Sequence, residues 1–411
     1  MKTTPHDGSE LRNSGTQITR RNFLGDMAAL AGASALLPTP FLLSSEASAA
    51  SNEITVGFVT SMSGPISSLG IPYDQGMKAA LSYRPEIAGK RIRFIALDDA
   101  SDPTSATRNA RKLVEEERVD ILIGTAGTPG ALAIATVAGE TGTPLISTAN
   151  INPDGVPGEW TVTVTQTAQL MIEGVVDHMK DAGAKTVGYI GFADTWGDQV
   201  YNALTDLASK AGLTVTSNER YARADTSVTG QALKVYATRP DVVIVGGSGT
   251  PGALPYIALR ERGYRGQFYG NPAIINPDFV RVGGQAVEGL IATTGPVVVY
   301  KQLPDSNPTK LVSDQFAAAL GKVAPGAVPN AFSGYAFDAW LLLADAAGRV
   351  PQNVVPGTPE YRKALRDALV TTKDLVVSHG IFNFNPSSRF GLDQRGRVTV
   401  KLSNGQWKLV A

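Results

Sequence analysis

Two copies of one six-residue motif carry the clearest ligand chemistry in this sequence. Residues 127–132 and 249–254 both read Gly-Thr-Pro-Gly-Ala-Leu, and each copy follows a short apolar run typical of a buried strand. Thr128 and Thr250 are suited to cap a helix, and proline suits the first helical position, where its missing N–H costs nothing. Free N–H groups and the positive dipole of a helix end attract anions. The motif therefore predicts two helix ends that face one small anionic solute across a shared cleft.

The second copy also overlaps a weaker pattern. Residues 247–252 match Gly-x-Gly-x-x-Gly, with a predicted strand before them and a predicted helix after them. That context is typical of a dinucleotide site. No acidic residue stands at the end of the following strand, where such a site needs a ribose partner. An exported, nucleotide-dependent enzyme stays an alternative with this one supporting feature.

Other residues with catalytic chemistry do not form a recognisable group. The three histidines are His6, His178 and His379, and none has the spacing of a metal ligand. The acidic pair Asp98-Asp99 ends a predicted strand, where it either acts as an acid/base pair or caps the next turn. We interpret the pair as a cap, and we expect no catalysis, no metal and no cofactor.

Predicted strands and helices alternate throughout the chain after residue 50. The strands are residues 54–59, 90–97, 119–123, 186–192, 213–218 and 241–245, and the helices are residues 74–82, 104–118, 200–211 and 230–238. Alternation at this spacing is typical of βαβ units and a parallel sheet. Both copies of the motif follow a strand in the same place of the pattern. The sequence thus predicts an α/β fold with two Rossmann-like, doubly wound parallel sheets.

The N-terminus predicts export. Residues 19–24 read Thr-Arg-Arg-Asn-Phe-Leu, which resembles the twin-arginine export motif, and residues 27–43 form a modest apolar segment. Residues 47–49 read Ala-Ser-Ala and supply the small side chains of a cleavage site. Residues 1–49 are therefore predicted to be a twin-arginine signal peptide, cleaved near Ala49 in the periplasm.

Composition narrows the choice of partners. Lys and Arg together number 37, as do Asp and Glu, so the clustered basic excess of a nucleic-acid surface is not expected. The chain has no cysteine, which excludes thiol catalysis and a lipid-anchored cysteine. No stretch after residue 50 is long and apolar enough to span a bilayer. We expect no nucleic acid and no stable membrane insertion after signal cleavage.

Four short motifs follow one another in a specific order. They are residues 56–65 (Val-Gly-Phe-Val-Thr-Ser-Met-Ser-Gly-Pro), 98–103 (Asp-Asp-Ala-Ser-Asp-Pro), 144–147 (Pro-Leu-Ile-Ser) and 195–198 (Thr-Trp-Gly-Asp). Together they resemble the type I periplasmic solute-binding proteins, and most closely the leucine/isoleucine/valine-binding family of ABC importers. The resemblance spans nearly all of residues 54–411 and implies two lobes joined by three crossovers. It assigns residues 52–168 and 297–348 to the N-terminal lobe and residues 169–296 and 349–411 to the C-terminal lobe.

The resemblance also implies a set of ligand-binding positions. Thr128, in the loop after Gly127, matches the residue whose hydroxyl and N–H hold the ligand carboxylate. Ala149 matches a position that offers its backbone, and Leu69 and Trp196 match side chains that cover the ligand, one from each lobe. The full candidate set is Leu69, Gly127, Thr128, Ala149, Asn150, Ile151, Trp196, Ser248, Gly249, Asn271 and Phe332.

Three of these positions depart from the family pattern. Ile151 stands where the family has a second carboxylate-binding hydroxyl, and Ser248-Gly249 stands where it has an aromatic residue. Asn271 lies where the family has an acid that binds the amino acid's ammonium group, and a buried ammonium without such a partner is costly. Residues 249–252, 258–263 and 357–362 are similar to aromatic-acid-binding members. The resemblance therefore implies an acid without an α-amino group, with an aromatic acid favoured over a branched-chain amino acid.

The expected function is that of a binding protein which closes on a small anionic solute and delivers it to the permease of an ABC importer. Closure requires contacts that differ between the open and closed states, and contacts from two lobes meet that condition. A ligand-sensing protein that signals to a membrane receptor is the main alternative of another class.

Overall fold

The computed structural model describes residues 52–385 and 388–410, which form two large β-sheets covered by helices and one small two-stranded sheet. The signal peptide predicted for residues 1–49 lies outside the described residues. The strands of the first sheet are β1 (Glu53–Thr60), β2 (Glu86–Ile87), β3 (Lys90–Asp98), β4 (Ile121–Gly124), β5 (Leu145–Ser147) and β6 (Thr161–Thr163). Their order is β2-β3-β1-β4-β5-β6, and all neighbours are parallel except β2 and β3.

The second sheet repeats this plan. Its strands are β7 (Thr186–Phe192), β8 (Thr214–Val215), β9 (Glu219–Tyr221), β10 (Val242–Gly246), β11 (Gln267–Gly270) and β12 (Ile291–Thr294), and a hairpin from the end of the chain extends it. The order runs from that hairpin through β12, β11, β10 and β7 to β8, with β9 also paired to β7. Strands β7 to β12 pair in parallel. The α/β class with two parallel-dominated sheets is confirmed.

Helices cover both sheets. In chain order they are α1 (Ser67–Tyr83), α2 (Pro103–Arg111), α3 (Thr128–Thr141), α4 (Gly155–Glu159), α5 (Ala168–Asp181), α6 (Thr195–Ala211), α7 (Thr229–Ala237), α8 (Leu254–Glu261), α9 (Pro277–Gly283), α10 (Thr309–Val323), α11 (Ala331–Gly348) and α12 (Pro359–Leu369). The last strands are β13 (Leu375–Val377), β14 (Gly380–Phe382), β15 (Val398–Ser403) and β16 (Gln406–Leu409). A strand covered on both faces is apolar throughout rather than alternating, as the fully buried β4 and β10 are.

Local chemistry sets where the helices begin. Asn330 caps α11 through a reciprocal capping box with Ser333, and Asp194 caps α6 by accepting hydrogen bonds from Trp196 and Gly197. Both caps bring an aromatic residue, Phe332 or Trp196, to the first turn of its helix. These two rings are among the predicted ligand contacts.

The predicted elements agree with the structure in kind and differ at their ends. The strand predicted over residues 186–192 has those bounds, whereas the helix predicted over residues 74–82 begins earlier, at Ser67. The helix predicted over residues 104–118 ends in a π-helical turn, Lys112–Glu116. The prediction that Thr128 and Thr250 are caps is wrong. Glycine is the capping residue in both places, and each threonine is the first helical residue.

Asp98 and Asp99 cap the turns around them, as predicted. The Asp98 carboxylate accepts hydrogen bonds from the amides of Met62 and Ala100, and Asp99 accepts one from the Ser61 hydroxyl at 2.6 Å. The pair thereby fixes the loop that leads from β1 into α1.

Three connections between the two sheets lie at residues 164–167, in the segment between β12 and α10, and at the described residues 383–385 and 388–397. Two contacts disagree with the predicted assignment of residues 349–411 to the C-terminal lobe. The Gly357 N–H, just before α12, donates to Asp120 of the first lobe at 2.6 Å, and the Arg366 guanidinium lies 4.9 Å from the Trp160 ring centroid. We therefore propose that the C-terminal lobe resumes only after residue 390, and the other boundaries stay predictions.

Among the described residues, no helix combines the length and apolar character that crossing a membrane requires.

Candidate functional site

A cavity lies between the two lobes where the ends of several strands and helices meet. The first lobe contributes residues from α1, from the start of α3 and from the loop after β5, and the second contributes Trp196, Arg223, Ser248 and the turn after β11. The centre of a water molecule can move through about 50 Å³ of this space. One buried water needs about 10–15 Å³ on this measure, so the cavity has room for a small organic molecule. The lining residues are Leu69, Tyr73, Ala126, Thr128, Thr148, Ala149, Asn150, Thr165, Gln166, Trp196, Arg223, Ser248, Pro272, Ala273, Phe332 and Tyr335.

The first copy of the repeated motif opens onto this cavity. Thr128 is 4% exposed, and neither its hydroxyl nor its N–H has a hydrogen-bond partner among the described residues. Gly130 is the next residue of the helix that has an N–H, and this N–H also has no hydrogen-bond partner in the described chain. Pro129 stands between them and has no N–H to satisfy. This helix end therefore offers donors and a positive dipole to whatever occupies the cavity.

The loop after β5 faces the same end of the cavity. The Ala149 carbonyl accepts a hydrogen bond from the Ser147 hydroxyl at 2.8 Å, whereas the Ala149 N–H has no partner within the described residues. The Thr148 carbonyl accepts a hydrogen bond from the Tyr73 hydroxyl at 2.6 Å. These contacts fix the loop and leave one amide donor beside those of Thr128.

The second copy of the motif is closed by protein contacts. The Thr250 N–H donates to the Ser68 hydroxyl of the first lobe at 3.2 Å, and the Gly249 N–H donates to the Ala273 carbonyl at 3.0 Å. The Gly252 N–H also has a partner, the Ser248 carbonyl at 3.1 Å. The expectation that both helix ends reach one solute is therefore wrong for the second copy, because the first lobe occupies it.

Arg223 is the only charged residue that lines the cavity within the described chain. Its Nε donates to Asp194 at 2.5 Å and its Nη1 donates to the Ser248 hydroxyl at 3.0 Å, while its Nη2 makes no hydrogen bond to a described residue. The guanidinium also lies 4.4 Å from the centroid of the Phe192 ring. Arg223 is thus held rigidly by its neighbours and keeps one nitrogen free for an acceptor.

Aromatic rings form most of the remaining wall. The rings of Tyr73 and Phe332 meet edge to face, with centroids 5.5 Å apart. Trp196 is 6% exposed, and its indole N–H donates to the Gly247 carbonyl at 3.3 Å. Burial raises the pKa of the Tyr73 and Tyr335 hydroxyls well above the ordinary value, so both side chains stay neutral. This part of the wall is apolar, and no described residue that lines the cavity carries a negative charge.

Tyr335 links the cavity to the crossovers. Its hydroxyl donates to Gln166 Oε1 in the first crossover, and Gln166 Nε2 donates to the Gly396 carbonyl in the third, both at 2.5 Å. On its other side, the Tyr335 ring stacks on buried His379, with centroids 3.8 Å apart. The His379 Nδ1 lies 2.9 Å from the Asp338 carboxylate. Tyr335 therefore contacts the first connection between the lobes directly and the third connection through Gln166.

The structure brings together most of the candidate residues from the sequence. Seven of them line the cavity: Leu69, Thr128, Ala149, Asn150, Trp196, Ser248 and Phe332. Gly127 lines a neighbouring cavity at the mouth of the cleft.

The other three candidates line neither cavity. Asn271 is fully buried and donates to the Val245 and Gly247 carbonyls, so it supports the chain around the site. Ile151 is buried among apolar side chains of the first lobe. Gly249 lies behind Ser68 and Leu69, which a β-carbon at residue 249 would meet at 2.7 Å.

Sequence reasoning missed Arg223, Tyr73, Tyr335 and Gln166. Arg223 follows the short strand β9 in a loop without a recognisable motif. The two tyrosines look like ordinary residues of apolar helices in the sequence. Only a tertiary contact, such as the one from Tyr335 to Gln166, distinguishes them.

Comparison with known proteins places this geometry in a family. The family model described as "Periplasmic binding protein" matches residues 53–396. The Leu/Ile/Val-binding protein homolog 1 of Brucella melitensis is 26% identical over 327 residues, which cover 77% of this chain and 82% of that protein.

Solved structures extend the likeness. An extracellular ligand-binding receptor from Rhodopseudomonas palustris HaA2 is 39% identical with a TM-score of 0.84, over 87% of this chain and all (100%) of that one. A solute-binding protein of an ABC transporter from R. palustris, solved in complex with benzoate, is 21% identical with a TM-score of 0.73, over 87% of this chain and 96% of that one. The latter likeness is one of fold. With the family match, the two-lobed fold and the interlobe cavity, the chain belongs to the periplasmic binding proteins, as a type I member of their Leu/Ile/Val-binding family.

Proposed function

We propose that this protein binds a small carboxylate without an α-amino group, with an aromatic acid favoured, and delivers it to the permease of an ABC importer. One observation carries the ligand class. The cavity combines unpartnered donors at Thr128, one arginine and four aromatic rings, with no Asp or Glu among the described residues that line it. An aromatic carboxylate matches each of these features.

The carboxylate would be held at the open helix end. The Thr128 hydroxyl and the Thr128 and Ala149 amides donate to no described residue, and a carboxylate has oxygens to accept from all three. Hydrogen bonds to an ionised acceptor are stronger than those between neutral groups. Arg223 lines the cavity from the other lobe, and while its charge is shared with Asp194, its Nη2 has no partner among the described residues and is left to donate to the carboxylate. A ligand held in this way contacts both lobes through its charged end.

No Asp or Glu lines the cavity among the described residues, and this limits which charged groups the rest of the ligand can carry. An α-ammonium enclosed there would lose its water and find no carboxylate partner, at a cost of several kcal/mol. The nearest acids at the cleft are already engaged, since Asp194 pairs with Arg223 and Asp99 accepts from the Ser61 and Thr125 hydroxyls. An aromatic ring instead meets Trp196, Phe332 and the tyrosines. This supports an acid over an amino acid.

Closure of the lobes would couple binding to delivery. The Ser68 hydroxyl, at the start of α1, reaches the Thr250 N–H of the opposite lobe, and this contact exists only while the lobes are together. A ligand favours the closed state through contacts that the open state lacks. The proposed ligand contacts to Thr128 and Arg223 come from opposite lobes and so favour closure.

The proposed function includes the cellular location of the protein and its partner. Membership in the family implies a periplasmic location, and residues 1–49 support export by the twin-arginine pathway. The relatives are solute-binding proteins, one of them from an ABC transporter. We accordingly propose a non-enzymatic role with a membrane permease as partner. A benzoate complex of one relative is consistent with the ligand class.

The experiment compares ligands that differ in one group. Calorimetric titration with phenylpropanoate and with phenylalanine isolates the α-ammonium, and benzoate, cinnamate and leucine complete the series. We expect the aromatic acid to bind at least about 100-fold more tightly than the matching amino acid, because the ammonium group of the amino acid is left unpaired. Tight binding of leucine with no binding of any aromatic acid would overturn the proposal.

A further inference from the structure

A second concave site lies away from the ligand cavity, where both lobes meet a connecting segment. The second lobe contributes residues 275–281 and the β15–β16 turn, the first lobe contributes Ala317 and residues 327–330, and residues 298–302 run between them. The centre of a water molecule can move through about 820 Å³ of this space. No residue is shared with the wall of the ligand cavity. We refer to it as the hinge pocket.

Two buried donors of the hinge pocket have no partner within the described chain. Asn276 is 2% exposed, and its Oδ1 accepts the Phe279 N–H at 2.8 Å while its Nδ2 is unpaired. The Trp407 indole nitrogen is likewise buried and unpaired. An unpaired buried donor costs about 1–3 kcal/mol, so it rarely persists without a partner of some kind. Both residues line the same pocket, but their donor atoms are covered by the wall and are not open to it.

The acceptors of the pocket, in contrast, are already used. Gln302 Oε1 accepts the Leu409 N–H at 2.9 Å, and Gln406 Oε1 accepts from Lys408 at 3.0 Å. Asn330 Oδ1 accepts the Phe332 and Ser333 amides. The side-chain amide oxygens of these residues are therefore engaged, whereas the ammonium groups of Lys301 and Lys408 keep donors for an acceptor-rich ligand.

The charge of the pocket has one sign. Arg281, Lys301 and Lys408 line it, and no Asp or Glu does so among the described residues. Arg281 pairs with Asp278 outside the pocket, while Lys301 and Lys408 form no ion pair with a described residue. The floor is apolar and aromatic, with Tyr300, Val299 and the Trp407 ring. Cations and an apolar floor together select an organic anion.

From these observations we infer that the hinge pocket is a second binding site, which takes a small organic anion with an apolar body. The anionic group meets Lys301 and Lys408, and the apolar body lies on the aromatic floor. The site is independent of the ligand proposed for the cavity between the lobes.

Two dyes with the same aromatic body test this inference. Anilinonaphthalenesulfonate carries an anionic group, and phenylnaphthylamine lacks it. We expect the purified protein to bind the sulfonate, and the variant Lys301→Gln/Lys408→Gln to bind it about 2- to 10-fold more weakly, as expected for two exposed charges.

The control variant is Lys180→Gln/Lys322→Gln, which removes two exposed lysines elsewhere and changes the net charge equally. It is expected to leave sulfonate binding unchanged, and circular dichroism confirms that each variant is folded. Equal binding by the hinge-pocket variant and the control variant would overturn the inference. So would equal affinity for the neutral dye, or loss of sulfonate binding in Thr128→Val, which would place the dye in the ligand cavity.

Discussion

The helix end at Thr128 and the helical turn at Thr250 share six residues in sequence and the same place in their sheets, but their surroundings differ. At the first, the hydroxyl and amide donors remain free and line a cavity. At the second, Ser68 of the opposite lobe accepts the Thr250 N–H at 3.2 Å. One end thus offers itself to a ligand, while the other supports contact between the lobes. A duplicated motif can serve binding in one copy and closure in the other.

We expect the largest effect on ligand affinity from substitution of Thr128, and a much smaller one from substitution of Thr250. Thr128→Val removes the hydroxyl at nearly constant volume, and we expect it to weaken binding of an aromatic acid about 10- to 100-fold, the loss of one hydrogen bond to a charged group. Thr250→Val is the matched control, because Thr250 makes its lobe contact through the backbone N–H. Calorimetric titration of both variants measures the difference. Equal losses would show that the two ends have the same role.

Alanine substitutions at the two capping glycines should differ in their effect on the stability of the protein. Gly249 has φ +57° and ψ −155°, and a β-carbon there meets Leu69 and Ser68 at 2.7 Å. Gly249→Ala should therefore lower the free energy of unfolding by about 1–3 kcal/mol. Gly127 has φ −103°, and its β-carbon would meet only the end of the Ile66 side chain. Gly127→Ala should change the stability by less than about 1 kcal/mol.

Urea unfolding of both glycine variants makes this comparison without a ligand. A loss at Gly127→Ala as large as at Gly249→Ala would contradict the close approach of α1 to the second helix end.

These contrasts show what the sequence can and cannot predict. The apolar run of residues 186–192 predicts its strand because burial on both faces of a sheet leaves a direct pattern. The repeated motif also predicts where a helix end lies. The role of Ser68 is not predictable, because its partner Thr250 lies 182 residues away and nothing local marks the contact. The prediction that Asn271 contacts the ligand failed for the same reason. The sequence is the same whether a buried amide binds a ligand or, as here, backbone carbonyls.

The contact between the lobes should be measurable through ligand affinity. Ser68→Ala leaves the Thr250 N–H unpaired in the closed state, and we expect binding of an aromatic acid to weaken about 2- to 10-fold, the net value of one neutral hydrogen bond. Ser67→Ala is the control, since the Ser67 hydroxyl makes no hydrogen bond to a described residue. Titration of the pair checks this expectation, and unchanged affinity in Ser68→Ala would show that the contact does not contribute to closure.

The smallest effect concerns the loop that leads to Ser68. Burial acts to raise the pKa of Asp98, but hydrogen bonds from the Ser63 hydroxyl and three amides outweigh it, so the pKa lies below its ordinary value. A lowered pKa in the folded state adds stability above the unfolded pKa of about 3.9, and this stability is lost as the pH falls through the folded pKa. Asp98→Asn should therefore cost less than about 1 kcal/mol near neutral pH, since the group is exposed.

Urea unfolding at about pH 7 and about pH 3 tests the sign, with a smaller wild-type advantage expected at the lower value. Asp181→Asn, at an exposed carboxylate without a partner among the described residues, is the control. An advantage that persists unchanged at the lower pH would contradict the role of the Asp98 hydrogen bonds.

The most direct measurement is a crystal structure with benzoate or phenylpropanoate bound. A carboxylate oxygen should lie about 3 Å from the Thr128 hydroxyl and from an adjacent amide, with the ring beside Trp196 and Phe332. The Ser68 hydroxyl should still accept the Thr250 N–H. A carboxylate bound at the second helix end, with Ser68 displaced and the Thr128 donors unused, would contradict the assignment of ligand binding to one copy and closure to the other.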